Sequence, residues 1–197
     1  MIENVLLVGV GGQGIILAAD VLAWALVESG YDVKLSEIHG MSQRGGSVHT
    51  SVRFGEKVYS PLIERGEADH LVAFEQLEAV RWAPYARRSG RVIVADEKIK
   101  PLPVLLGVEK YPDDPVDLIA KSIGEVSFVP AVDLAEGAGN RRTANLVILG
   151  VLAGGLPVDK EVWRSVIERR VPTKSVEINL RAFELGYRWQ PVPDKVL

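Results

Sequence analysis

The feature that most constrains the fold is a short apolar run that leads directly into a glycine-rich turn. Residues 4–8 are rich in valine and leucine, and Gly9, Gly11, Gly12 and Gly14 follow at once. A buried strand that ends in a tight turn has this pattern, because glycine adopts left-handed backbone conformations without steric cost. The sequence therefore predicts that the chain opens with an α/β unit.

The segment after the turn is predicted to be a largely buried helix. Residues 15–27 are almost continuously apolar, with alanines that favour helix, and Gly30 stands where a glycine is expected at a helix C-terminus. Residues 32–38 are predicted to form a second strand. We therefore expect a strand–helix–strand crossover that is parallel and right-handed.

An alternating segment follows and predicts an antiparallel excursion from the parallel sheet. Apolar and polar residues alternate over residues 47–54, which is typical of a half-exposed strand. A turn at residues 55–56 is expected to return residues 57–60 as a hairpin partner. A plain doubly wound sheet lacks such a hairpin.

The remaining sequence resumes the alternation of strands and helices and ends in helices. Strands are predicted at residues 71–74, 91–95 and 126–129, helices at 75–85 and 116–122, and a loop at 136–140. Further helices are predicted at 143–153, at 159–171 with Asp159 as N-cap, and at 174–185 ending before Gly186. The predicted class is α/β: a single domain, residues 1–197, with a doubly wound, mostly parallel sheet, flanking helices, an antiparallel excursion and a helical C-terminus.

Composition excludes several classes of function. The 197 residues include no cysteine, so the usual thiolate ligands of iron–sulfur clusters are missing. The net charge is -3 and the sequence has no long basic run, so it predicts no basic surface for binding nucleic acid or an anionic membrane. The apolar run at residues 5–10 is too short to span a bilayer and lacks a basic leader, so we expect a cytoplasmic protein.

The glycine-rich turn is the first candidate binding site. Its glycines match the spacing G-x-G-x-x-G between a strand and a helix, where backbone N–H groups bind phosphate. The candidate binding residues of the turn are Gly9, Gly11, Gly12, Gln13 and Gly14. Glu37, near the end of the second strand, suits a ribose hydroxyl, which would fit a stand-alone Rossmann-type NAD(P)-binding oxidoreductase. The alternative interpretation is that the small residues only allow close strand–helix packing.

The loop after the second strand is the second candidate. It brings together an imidazole, a guanidinium and flexible backbone in His39, Arg44, Gly45 and Gly46. Because the carboxyl ends of strands form the ligand crevice of an open α/β sheet, we expect this loop and the glycine-rich turn to share one anion. The alternative is a surface loop whose arginine lies in solvent.

No independent catalytic constellation is visible in the sequence, and no residue is predicted to be catalytic. Paired metal-ligand spacings, a Walker lysine and a nucleophile elbow are all missing. His49 and His70 are expected to be solvated or hydrogen-bonded residues. Asn145, within an apolar helical segment, is expected either to face solvent or to cap backbone groups near the glycine-rich turn.

Three segments together resemble the gamma-type domain of the 2-oxoacid:acceptor oxidoreductases. They are GVGGQG at residues 9–14, SEIHGMSQRGG at residues 36–46 and NLVILG at residues 145–150. The resemblance runs nearly from end to end of the chain. The form HGMSQRGG at residues 39–46 is similar to the indolepyruvate type of the family rather than to the pyruvate enzymes.

This resemblance implies CoA-dependent oxidative decarboxylation of a 2-oxoacid, of the indolepyruvate or arylpyruvate kind, with electrons passing to ferredoxin. It implies a large partner subunit that carries thiamine diphosphate, magnesium and the iron–sulfur clusters, and through which ferredoxin is reduced. The chain itself would bind none of these cofactors alone, would be inactive alone, and would share a CoA site with its partner. A homodimer is an expectation for the isolated chain, and a non-enzymatic assembly module is an alternative function.

Overall fold

A mixed sheet with helices on both faces forms the centre of the molecule in the computed structural model, which describes residues 2–39, 46–120 and 125–190. The six strands are β1 Ile2–Val10, β2 Asp32–His39, β3 Ser47–Gly55, β4 Ala68–Ala73, β5 Ala86–Ala95 and β6 Glu125–Val129. Their spatial order is β2-β3-β1-β4-β5-β6. Strands β1, β4, β5 and β6 pair in parallel, whereas β3 is antiparallel to β1 and β2. The predicted α/β class with a mostly parallel sheet is confirmed.

Helices cover both faces of this sheet. Those in the described residues are α1 Ile15–Glu28, α2 Gln76–Trp82, α3 Leu102–Leu105, α4 Pro115–Ala120, α5 Ala131–Ala138, α6 Ala144–Ala153, α7 Lys160–Arg170 and α8 Val176–Arg188. One apolar core lies between the sheet and helices α1 and α5 to α8, and the other lies under α2 and α4. Within these ranges, no helix combines the length and apolar character that crossing a membrane requires.

The strand β1 occupies the middle of the sheet because both of its faces are apolar. Val5 and Leu7 belong to the core under α1, whereas Leu6 and Val8 belong to the core under α2. All four side chains are almost completely buried. A strand that is apolar on both faces gains most from a central position, with helices above and below it.

The strand β3 is the predicted antiparallel excursion, but it enters the sheet instead of forming a hairpin. Val52 of β3 is the register partner of both Val5 in β1 and Leu35 in β2, so β3 separates these two strands. The predicted hairpin with residues 57–60 is wrong, because those residues form no strand. The crossover prediction is wrong about which strands are neighbours, because β1 and β2 do not pair with each other. They run in the same direction, since each is antiparallel to β3.

The polar face of β3 is partly covered by other parts of the chain. Ser47, His49 and Arg53 on this face are partly exposed, and Ser51 is buried. His49 packs against Trp82 with ring centroids 4.1 Å apart. Arg53 donates a hydrogen bond of 2.7 Å to the Asn4 side chain. Alternation therefore identified the two faces of the strand but not their burial.

The C-terminal helices agree with the sequence predictions except at three places. Residues 136–138, predicted as loop, complete α5, which ends at Gly139 with a positive φ of 112°. Asp159 occupies the N-cap position of α7, but its side chain makes no capping hydrogen bond. Gly186 does not end α8, which continues to Arg188.

Gly186 and Gly150 lie where α6 and α8 approach backbone to backbone. A β-carbon at Gly186 would lie 1.9 Å from the carbonyl oxygen of Val147, and one at Gly150 would lie 2.2 Å from that of Phe183. Real side-chain atoms do not tolerate these distances, so the two glycines allow the close packing of the helices. The sequence suggested a helix end at Gly186 because it carries no signal of this long-range contact.

We predict that Gly186→Ala destabilises the protein by about 1–3 kcal/mol or more, since the added methyl group forces α6 and α8 apart. The measurement is urea unfolding followed by circular dichroism. Gly137→Ala is the matched control, because a β-carbon at this helical position in α5 meets nothing within 4 Å. The control should be neutral or gain about 0.4–1 kcal/mol. Equal stability of both variants would contradict the close approach of the helices.

Candidate functional site

A cleft with a volume of about 890 Å³ opens where the parallel strands end. One wall is the glycine-rich turn between β1 and α1. Other walls are the end of β4 at Phe74, the end of β5 at Ala95, and residues 140–145 at the start of α6. Ligands of open α/β sheets bind at the carboxyl ends of the strands, so the cleft has the position of a binding site.

The glycine-rich turn contributes lining residues, two of which have backbone N–H groups left without protein acceptors in the described part of the chain. Gly12 and Gly14 have φ values of 105° and 77°, in the left-handed region that favours glycine. Gly14 is the N-cap of α1, and no side chain caps this helix end. Within the described ranges, no protein acceptor takes the N–H of Gly12 or Gly14. The first turn of α1 leaves further N–H groups without intrahelical partners, so the turn favours an anion.

Gln13 fixes the turn to the neighbouring strand ends. Its Oε1 accepts a hydrogen bond of 2.7 Å from the backbone N–H of Val10, and its Nε2 donates to the carbonyl oxygen of Phe74 at 2.6 Å. The same Nε2 donates to Glu97 Oε2 at 2.9 Å. Because both ends of this amide have protein partners, Gln13 positions the turn and is not free to bind a ligand through these atoms.

The opposite wall, residues 140–145, carries the cationic groups of the cleft. Asn140 caps this segment by accepting a hydrogen bond of 3.0 Å from the N–H of Arg142. The side chains of Arg141 and Arg142 are exposed at the cleft. Asn145 is buried and donates from Nδ2 to the carbonyl oxygen of Gly14 at 3.1 Å, which joins the two walls. Of the two alternatives for Asn145, the structure shows the one in which it binds backbone near the turn.

Glu97 contributes the carboxylate that lines the cleft. Arg141 Nη2 lies 3.9 Å from its Oε1, and Gln13 holds its Oε2. The long distance and the exposure of Arg141 make this ion pair weak, so Arg141 is available to a stronger anion. The cleft therefore combines the glycine-rich turn with two guanidinium groups, which together suit a polyanionic ligand.

The structure places the predicted site residues unequally. Those that line the cleft are Gly11, Gly12, Gln13 and Gly14. Gly9 serves packing, because a β-carbon there would lie 2.7 Å from Gln13 Oε1 and 2.8 Å from Ile15. Gly46 accepts a hydrogen bond of 2.9 Å from the N–H of Gly11, so the end of the second loop touches the turn. The His39 side chain, Arg44 and Gly45 lie outside the described residues, and their share in one crevice stays a prediction.

Glu37 is not positioned as in a dinucleotide site. It is the register partner of Thr50 in β3, which in turn is the partner of Leu7 in β1. With neighbouring strands about 4.8 Å apart, Glu37 lies roughly 10 Å from β1 instead of on the adjacent strand. The Rossmann arrangement requires the acidic residue on the strand directly next to the glycine turn. This geometry disfavours the NAD(P)-binding interpretation.

Sequence reasoning missed Arg141 and Arg142. The available signal was local: Asn140 is a preferred N-cap residue, and two arginines follow it immediately before a long apolar helix. What the sequence does not show is that this helix begins beside the glycine-rich turn. That proximity depends on the contact between Asn145 and Gly14, which are 131 residues apart.

The histidines contribute no metal site to the described part of the chain. His70 lies 3.3 Å from Glu3, in agreement with the expectation of a hydrogen-bonded residue. Burial lowers the pKa of His49, which packs against Trp82. No group of three or more metal-binding side chains occurs in the ranges that the structure describes.

Comparison with known proteins defines the class of this chain. The profile of the pyruvate ferredoxin/flavodoxin oxidoreductase family matches residues 4–189, and the chain belongs to this family. It is 41% identical over 190 residues to indolepyruvate oxidoreductase subunit IorB of Thermococcus kodakarensis, with 94% of each chain covered. The subunit IorB of Pyrococcus horikoshii is 40% identical over the same length. The resemblance that the motifs indicated is confirmed.

Other relatives contain this domain within longer chains or share only its fold. Ketoisovalerate oxidoreductase subunit VorA of Methanothermobacter marburgensis is 30% identical over 94% of this chain, which is 36% of VorA. The gamma subunit of the keto/oxoacid ferredoxin oxidoreductase of Geobacter sulfurreducens has a TM-score of 0.70 at 24% identity, with 94% and 96% of the chains covered. The 2-oxoglutarate:ferredoxin oxidoreductase of Magnetococcus marinus has a TM-score of 0.73 at 19% identity and is covered over 30% of its chain.

Asp96, at the end of β5 beside the cleft, is an electrostatically unfavourable residue. Burial, followed by repulsion from Asp133, raises its pKa above the ordinary value. Its Oδ1 is buried and has no hydrogen-bond partner among the described residues. Since the folded state prefers the protonated form, Asp96 costs no stability below its unfolded pKa. The cost appears as the pH rises and is complete above the raised folded pKa.

We therefore predict that Asp96→Asn stabilises the protein at pH 7, because the amide removes the buried negative charge. The gain should shrink as the pH is lowered and vanish below the ordinary aspartate pKa of about 3.9. Urea midpoints measured across this pH range provide the test. Asp113→Asn, at an exposed position, controls for the change in net charge. A pH-independent gain, or the same gain in the control, would show that Asp96 bears no such cost.

Proposed function

We propose that this chain is the smaller subunit of an indolepyruvate-type 2-oxoacid:ferredoxin oxidoreductase, and that its cleft holds the phosphate groups of CoA. The complex would convert an arylpyruvate and CoA into an acyl-CoA by oxidative decarboxylation. The observation that carries the proposal is that the glycine-rich turn, at a helix start without a side-chain cap, and two arginines line the same cleft. These are binding groups, and the chemistry they suit is recognition of an anion.

The residues present fit the phosphates of CoA. The N–H groups of Gly12 and Gly14 give directional hydrogen bonds, and the positive end of α1 adds favourable electrostatics. Arg141 and Arg142 on the facing wall suit a second phosphate, since guanidinium groups bind phosphate oxygens in pairs. Glu97 disfavours an anion in its immediate vicinity, so the phosphates should lie between the turn and the arginines. In this arrangement the chain binds and orients CoA, and the thiol end points toward the partner.

Relatives support this proposal. The two IorB proteins are indolepyruvate oxidoreductase subunits by name, and they match this chain over almost its whole length. The Magnetococcus enzyme, which shares the fold, has 2-oxoglutarate, coenzyme A and succinyl-CoA bound. In VorA the corresponding domain is about a third of a longer chain, which supports a role as one part of a larger oxidoreductase.

The remaining chemistry is assigned to a large partner subunit. Thiamine diphosphate with magnesium would stabilise the carbanion formed on decarboxylation, and iron–sulfur clusters would pass the electrons to ferredoxin. This chain has no cysteine to ligate a cluster. Its own contribution is to bind CoA, to orient it and to complete the interface with the partner. We place the complex in the cytoplasm.

The proposal predicts a specific effect of Arg44→Ala in the assembled enzyme. A charge-assisted hydrogen bond from Arg44 to a phosphate, shielded from water, contributes about 1.5–3 kcal/mol. Its loss should raise the Michaelis constant for CoA by roughly tenfold to a hundredfold while leaving that for the 2-oxoacid unchanged. Arg142→Ala, on the wall that the structure describes, should act in the same direction.

Arg88→Ala is the matched control for these variants. Arg88 is exposed on β5, seven residues before Ala95 and therefore roughly 23 Å from the cleft end of the strand. The Arg88→Ala substitution removes the same positive charge from a position that does not line the cleft. Gel filtration must show that each variant still assembles with the large subunit. Unchanged Michaelis constants for CoA in intact complexes of Arg44→Ala and Arg142→Ala would reject the phosphate role.

A further inference from the structure

Residues 101–108, between β5 and α4, expose more apolar surface than their surroundings. This segment, called the prong here, reads PLPVLLGV and contains no charged or polar side chain. Leu102, Leu105 and Leu106 are 67%, 66% and 69% exposed, and Val108 is 76% exposed. Single exposed leucines are ordinary on protein surfaces, but four large apolar side chains within seven positions mark an interaction surface.

Glu75 binds the chain on both sides of the prong. This buried carboxylate, 1% exposed, accepts hydrogen bonds from the N–H of Ile99 at 3.0 Å and from the Tyr111 hydroxyl at 2.5 Å. It also accepts the N–H of Glu78 at the start of α2. One side chain thus holds together a residue shortly before the prong and a residue shortly after it.

The backbone of the prong is already ordered without any partner. The N–H groups of Leu105 and Leu106 donate to the carbonyl oxygens of Pro101 and Leu102, and Gly107 and Val108 donate to Val104 and Pro103. Polar backbone groups are therefore satisfied locally, whereas the apolar side chains are not buried. A preformed segment of this kind binds without a large cost of ordering, which is how interface anchors gain affinity.

The prong is next to the cleft. Glu97 and Ile99, which lie shortly before it in the chain, both line the cleft, so a partner that covers the cleft also reaches the prong. The four side chains expose roughly 300–400 Å² of apolar surface. A stable interface needs about 800 Å² per partner, so two prongs of two copies are too small to form a dimer by themselves. The prong is instead one anchor within a wider contact.

We propose that the prong is an anchor that inserts into an apolar groove of the large thiamine-bearing subunit, beside the mouth of the CoA cleft. This inference rests on the proposed function, which supplies the partner, and adds the surface by which the partner is held. The prong is convex, as the exposure of its side chains shows, so the groove is concave and apolar. Its insertion orients the cleft toward the active site of the partner.

The test is the affinity between the purified chain and the purified large subunit, measured by isothermal titration calorimetry. The variant Leu102→Gln/Leu106→Gln keeps the chain length, charge and helix-forming residues of the prong but removes its apolar surface. It should raise the dissociation constant by about tenfold to a hundredfold. Leu62→Gln is the matched control, because Leu62 is 64% exposed on the loop between β3 and β4. It should leave the affinity unchanged.

The outcomes separate this inference from the proposed function. If the unaltered chain does not bind the large subunit, the proposed function fails and the inference fails with it. If it binds and the double variant binds equally well, or if Leu62→Gln weakens binding as much, only the prong assignment is overturned. Sedimentation velocity of each chain alone completes the test: a loss of self-association with unchanged heteromer affinity would assign the prong to a second copy and overturn the inference. Retained unfolding midpoints confirm that the variants are folded.

Discussion

The site depends on how the end of β1 is held. The turn after Val10 has little side-chain volume of its own, so its shape is imposed by two amides from outside the glycines. Gln13 connects it to the ends of β1 and β4, and Asn145 connects it to the start of α6. These hydrogen bonds hold the turn, and with it the backbone N–H groups of its glycines, in one arrangement.

Local sequence signals predicted the parts of the fold whose cause is local. The glycine turn, α1 with Gly30 beyond its end, and the parallel strands β4 to β6 all follow from periodicity and from residues that start or stop helices. The position of β3 did not follow, because pairing with Val5 on one side and Leu35 on the other depends on contacts between distant segments. The same holds for Gly186, whose neighbour is the backbone of another helix.

One wall of the candidate site was also predictable from local sequence signals. The glycine-rich turn carries a recognisable spacing, so its role in the cleft could be anticipated from residues 9–14 alone. Arg141 and Arg142 were not anticipated, because an arginine pair before a helix is common on protein surfaces and gains meaning only from its neighbours. Glu97 is similar: the sequence places it after a strand, but only the structure shows Gln13 and Arg141 on either side of its carboxylate.

The cleft lies at the carboxyl ends of the parallel strands, and the prong follows the end of β5 in the chain. The cleft is lined by the glycine-rich turn and by two arginines, and the prong exposes four large apolar side chains. Under the proposed function, a partner subunit at this end of the sheet would account for both features. The central claim is therefore that the chain works only as part of a heteromer.

Reconstitution tests this claim most directly. The purified chain, the purified large subunit and their mixture would each be assayed for reduction of ferredoxin that depends on both arylpyruvate and CoA. The account predicts that only the mixture is active. Full CoA-dependent activity of the large subunit alone, or NAD(P)-dependent oxidoreduction by this chain alone, would contradict it.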